Sequence, residues 1–156
     1  MYRRYVKRTG VLSLAILFLL PAVALGLTRA LVHTRTLHGP AGPVADASVD
    51  ITFKYSQGQA TVITRFELNN IPITCLGGRP SAVSYKFAHH IHVSSTGRFH
   101  ATASPNGGPA TYKVRGHFSG VHKAAGRLRV TGTVPGCSMG DTGKVHWSAT
   151  PAAPGT

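Results

Sequence analysis

At 156 residues the chain has room for one domain, and 17 Lys and Arg against four Asp and Glu give it a formal charge of +13. So basic a balance favours anionic partners: phospholipid headgroups, polyanionic wall polymers or loosely held nucleic acid. It also excludes much, because Asp46, Asp50, Glu67 and Asp141 are too few to furnish paired catalytic carboxylates easily.

The first predicted element is a targeting helix. Arg3, Arg4, Lys7 and Arg8 precede an apolar run from Val11 to Leu20, which Pro21 ends before the small residues Ala22, Ala24 and Gly26. Basic, then apolar, then small is the order of a secretory signal, here residues 1–24 with cleavage after Ala24. The alternative is an uncleaved membrane anchor extending to about residue 27. Either way the basic flank stays cytoplasmic and the rest is exported, so the chain is expected to be secreted or extracytoplasmic. Removal of 1–24 leaves thirteen Lys and Arg against four acids, a formal charge of +9. These cations are scattered along the sequence rather than clustered. That pattern argues against a dedicated patch and against specific nucleic-acid recognition.

Residues 25–47 show no apolar period and carry Gly39-Pro40 and Gly42-Pro43, which predicts a flexible tether. From 48 to 150 the pattern alternates with period two between glycine turns, and 151–156 reads as a frayed end. Val49, Ile51, Phe53 and Tyr55 mark one face of a strand. A turn at Gln57-Gly58 would set Phe53 opposite Val62, Val49 opposite Phe66 and Asp50 opposite Arg65. Further strands are marked by Val83 to Phe87, Ile91 to Val93, Phe99 to Ala101, Tyr112 to Phe118, Leu128 to Val130 and Val145 to Ala149. The fold class predicted is all-β, an antiparallel β-sandwich or flattened barrel of about seven to eight strands.

Two cysteines in an exported chain read as a pair, so Cys75 and Cys137 are expected to form a disulfide. Neither has a C-x-x-C partner, which points to stability rather than redox exchange. Trp147, ten residues after Cys137, is expected at the core centre near the bridge.

Cys75 followed by Gly77-Gly78, the steps Gly97-Arg98-Phe99 and Gly116-His117-Phe118, then Ala125-Gly126, Cys137 and Trp147-Ser148-Ala149 form an ordered set over roughly 48–150. In this order the chain resembles small exported bacterial β-proteins of uncharacterised function. What they share is structural punctuation and a disulfide, so the resemblance implies no activity and transfers no functional residue.

Nine histidines are the unusual feature. A hairpin through Ser95-Thr96-Gly97 would align Val93 with Phe99 and place His92 opposite His100, with His90 two residues along the same face. Cross-strand imidazoles at that spacing can share Zn²⁺ or Cu²⁺, so His90, His92 and His100 form a candidate metal site. Against it, no carboxylate or thiolate completes the set, and His100 is expected to face Lys113. His89, His117, His122 and His146 show no convergence in the sequence. Gly136-Cys137-Ser138-Met139-Gly140 matches the G-x-S-x-G string of hydrolases, but that chemistry needs a strand-to-helix turn that a β-domain does not offer. The expected function is therefore an exported, non-catalytic β-domain without a cofactor, binding an anionic envelope component, a membrane surface or a protein partner. The alternative is a histidine-rich metal-binding protein.

Overall fold

Along Ser48–Ser56, Val49, Ile51 and Phe53 are fully buried while the residues between them keep contact with water, as a pleated strand with one apolar face requires. The structure, a computed structural model describing residues 30–105 and 108–152, has ten strands, several of which repeat this alternation. They are β1 (His33–Pro40), β2 (Ser48–Ser56), β3 (Gln59–Cys75), β4 (Pro80–Lys86), β5 (Ile91–His92), β6 (Arg98–Ala103), β7 (Thr111–Phe118), β8 (Ala124–Val134), β9 (Cys137–Asp141) and β10 (Val145–Ala149). The expected signal or anchor lies outside the described residues, as do 153–156. Among the described residues no helix is long and apolar enough to cross a membrane.

All pairings are antiparallel, in the order β1-β2-β3-β9-β8-β7-β6, with β4 and β5 on the far edge of β3 and β10 beside β8. The sheet does not close into a barrel, because β1 and β10 meet only through the isolated bridges His38–Thr150 and Ala41–Trp147. Two halves result, β1–β5 and β6–β10, whose ladder connection is the short seam Thr74–Asp141 and Cys75–Gly140. The disulfide Cys75–Cys137 crosses that seam with a Cα–Cα distance of 5.5 Å. Gly140 makes room for it: a Cβ there would lie 2.9 Å from the Cys137 sulfur and 2.6 Å from Ile73 Cδ1.

The core is aromatic where the halves face each other. Phe66 of β3 meets Trp147 of β10 at 5.6 Å and Phe99 of β6 at 6.1 Å between ring centroids, and Phe53 meets Phe118 at 4.5 Å. Trp147 can lie flat on the inner face because the register sets Phe99, Gly116, Gly126 and Trp147 side by side on β6, β7, β8 and β10. A Cβ on Gly116 or Gly126 would stand 2.7 Å from Trp147 Cζ2. Here glycine is required by close approach rather than by a turn.

Several expectations are corrected. The stretch 25–47 contains β1, so the ordered domain begins well before residue 48. Leu37 is the only large apolar side chain β1 buries, and Gly39 admits the backbone of Ser148 rather than turning the chain; neither leaves a period-two signal. The β9 strand was also missed, giving ten strands instead of seven to eight, because Cys-Ser-Met-Gly-Asp does not alternate. The Gln57-Gly58 turn is present, with φ of 50° and 75°, but bulges in β3 at Thr61 and Thr64 shift the register beyond it. Phe53 therefore faces Ile63, Val49 faces Leu68, and Asp50 faces Glu67 rather than Arg65. Trp147 is central as expected but not beside the bridge. Its partner Gly126 is eight positions along β8 from Val134, the partner of Cys137, about 26 Å at strand rise.

Candidate anion-binding groove

The groove arises where pairing stops. The two-residue β5 pairs with β3, through Val62–His92 and Ile63–Ile91, and β6 pairs with β7, so no ladder joins β5 to β6. They stay connected by a tight turn in which Gly97 N–H donates to the Ser94 carbonyl at 2.8 Å and Ser94 N–H to the Arg98 carbonyl at 2.9 Å. Beyond that turn the edges diverge and leave an open groove of about 1900 Å³, lined by residues of β4 to β8 and β10.

The ionisable side chains of its lining other than Tyr85 are all basic. Six of the nine histidines reach it, His89, His90, His92, His100, His117 and His146, together with Lys86, Arg98, Lys113, Arg115 and Arg127. No Asp or Glu is among the lining residues. The strand pattern makes this possible: on β7 the inner residues Tyr112, Val114 and Phe118 are buried while Lys113, Arg115 and His117 alternate outward. Register then aligns the outward residues of neighbouring strands. His100 of β6 faces Arg115 of β7, Arg115 faces Arg127 of β8, and Arg127 faces His146 of β10. All four are exposed.

The chain's four carboxylates sit elsewhere, and Asp50, Glu67 and Asp141 are engaged. Asp50 accepts from His38 Nδ1 at 2.7 Å and from Asn69 Nδ2 at 2.8 Å. Glu67 accepts from Arg65 at 2.6 Å and lies 3.5 Å from Lys86 Nζ; the Arg65 hydrogen bond holds its carboxyl below the usual range. Asp141 takes Arg129 Nε at 3.0 Å, which likewise lowers its carboxyl, and accepts from Gly143 N–H at 2.8 Å. Lys86 is thus the one groove cation with a carboxylate beside it. Arg98, Lys113, Arg115 and Arg127 form no ion pair among the described residues.

His90, His92 and His100 all line this groove, but not through the hairpin that the sequence suggests, because β5 pairs with β3 and His100 faces Arg115 instead of Lys113. Among the described residues no three His, Cys, Asp or Glu are grouped to hold a metal ion. Cys75 and Cys137 are bonded as expected. The G-x-S-x-G string falls on the β8–β9 hairpin, whose turn is Pro135-Gly136. Asp50 and Glu67, though directly opposite, line neither this groove nor the smaller one near Pro72.

The gathering of His117, His146, Arg115 and Arg127 was not visible in the sequence. Outward positions on four strands at sheet register were there to be read, but the strand order that joins them was not. Comparison with protein-family models, with curated proteins and with solved structures found no match.

Proposed function

We propose that the chain is an exported, non-catalytic β-domain that binds an anionic component of the cell envelope through this groove. The observation carrying the reading is the row His100–Arg115–Arg127–His146, four basic residues directly opposite one another with no carboxylate in the lining. Like charges on facing strand positions oppose folding, so an anionic guest is the natural complement to that row. The disulfide is compatible with an extracytoplasmic location.

A flat membrane fits less well than a polymer. The exposed large apolar residues, Leu31, Val32, Val44, Leu76 and Met139, do not line the groove, and the large apolar residues that do, Phe87, Ile91, Phe99, Val114 and Trp147, are buried, so it offers no exposed large apolar side chain for insertion. The test is a salt series of binding to a soluble wall polyanion and to anionic vesicles. Affinity should fall steeply with ionic strength and favour the polymer; indifference to salt would remove the basic groove from the explanation.

A further inference from the structure

The row crossing β6, β7, β8 and β10 is more specific than a basic surface. Resting on the function proposed above, we infer that it is a track for a linear phosphodiester polymer of polyol type, held by Arg115 and Arg127 and tightened at both ends when His100 and His146 are protonated.

Three observations select this ligand. Arg115 and Arg127 face each other across β7 and β8, which places their Cβ atoms about 4.5–5.5 Å apart. Two guanidinium forks so close can grip one phosphate from both sides, a geometry that suits the tetrahedral arrangement of its oxygens. Next, the row crosses four neighbouring strands about 4.8 Å apart, so successive anions of an extended chain laid across β6, β7, β8 and β10 each meet a positive charge, from His100, Arg115, Arg127 and His146 in turn. Finally, Phe87, Phe99 and Trp147, the Phe and Trp residues that reach the groove lining, are buried. Tyr85, the half-buried aromatic side chain of the groove, is already stacked on Tyr112 at 4.1 Å, so no open Phe, Tyr or Trp platform is offered to a base, which separates this track from single-stranded nucleic-acid sites.

The pH response follows from what faces the track. Arg127 lies between His146 and Arg115, and His100 has Arg115 beside it. From β7 come Lys113 and His117, from β6 Arg98, and from the β4–β5 side His89, His90, His92 and the Glu67-paired Lys86. No carboxylate lines the groove to offset added charge. Imidazole changes charge between about pH 5 and 8, so acidification adds positive charge to the track and to its surroundings.

The experiment is calorimetric titration of the full-length chain with poly(glycerol phosphate), at about pH 8 and about pH 5.5. Arg115→Gln with Arg127→Gln should weaken binding roughly tenfold or more at fixed salt. Lys54→Gln with Arg79→Gln, which removes the same charge away from the groove, should change it less than about twofold. His100→Gln with His146→Gln should keep the affinity at the higher pH and lose most of the gain on acidification. Equal weakening by the two cation pairs would overturn the track while leaving a diffuse basic surface intact. Equal or tighter binding of polyglutamate or oligothymidylate of matched charge would overturn the polyol-phosphate assignment. An unchanged acid gain in the histidine pair would overturn its role. Wild-type protein that binds none of these polyanions would remove the proposed function as well. Melting curves of each variant confirm that it is folded.

Discussion

The two halves of the sheet handle charge in opposite ways. Residues 33–92, spanning β1 to β5, carry five Lys and Arg with three carboxylates, while 98–149, spanning β6 to β10, carry seven with one. In the first half, Asp50 and Glu67 face each other across the ladder, and that repulsion is relieved locally by His38 and Asn69 on one side and Arg65 and Lys86 on the other. In the second half, Arg115 faces Arg127 and nothing relieves it. A strand face under selection for stability alone resembles the first half. The second half bears a cost that an external anion would remove, and this difference localises the proposed function.

The largest effect tests how the halves are joined. The ladder seam between β3 and β9 is two residue pairs long, so the Cys75–Cys137 bond carries much of the connection. Replacing both cysteines with Ala should cost about 4 kcal/mol in the chain-entropy picture. That corresponds to roughly 15 °C or more in the melting midpoint. Scanning calorimetry measures it, and an unchanged midpoint would mean that the bridges between β1 and β10 and the shared aromatic core hold the halves without help.

Next in size is the inner face beneath the cationic track. Gly126→Ala would drive a Cβ into the Arg115 carbonyl and against Trp147 Cζ2, shifting either β7 or the indole. We expect a loss of roughly 2–3 kcal/mol, as for other overpacked sites. Urea unfolding followed by the fluorescence of Trp147, the chain's one tryptophan, should show both the loss and an altered native spectrum. A neutral result would mean that the two strands separate easily and that the track above them is not rigid.

A smaller effect distinguishes the halves by pH. Glu67 and Asp141 are held below the usual carboxylate range by hydrogen bonds from Arg65 and Arg129. Because the folded value is the lowered one, each contributes stability that is present in full above about pH 4.3, where the unfolded carboxylates are already ionised. That contribution is lost as the pH drops through the folded values. Glu67→Gln should therefore lower the urea midpoint at neutral pH and flatten its decline on acidification, most visibly at low salt. A decline as steep as that of the wild type would assign acid sensitivity to other groups.

How much of this was legible in the sequence depends on range. Period-two alternation at Val49 to Tyr55 and at Tyr112 to Phe118 is a local signal, and it identified those strands. The cysteine pair needed only a count. Strand β1 was lost because its ordering comes from pairing with β2 and from a backbone contact at Gly39, neither of which leaves an apolar pattern. The groove was lost for a related reason. His146 and His100 are 46 residues apart in the sequence, and they share one row only because β10 pairs with β8, β8 with β7 and β7 with β6. Cations that looked scattered were spaced at strand intervals. Bulges at Thr61 and Thr64 defeated the predicted hairpin register in the same way, since an extra residue in one strand shows only when its partner is known.

The smallest expected effect bears most directly on the comparison between the halves. If Arg115 and Arg127 repel each other without relief, either Arg→Gln change should stabilise the unliganded protein by roughly 0.5 kcal/mol, the scale of a cross-strand pair. The melting midpoint should rise by about 2–4 °C at low salt and by less as salt screens the pair. Arg129→Gln, one outward position along the same strand from Arg127, should not raise it, because that change breaks the pairing with Asp141. The two substitutions share a strand, an exposure class and a charge change, and differ in whether a carboxylate is present. Opposite signs would establish that the groove cations are kept against the interest of folding. Equal signs would mean that the row behaves as ordinary solvated surface, and the contrast between the halves would lose its functional meaning.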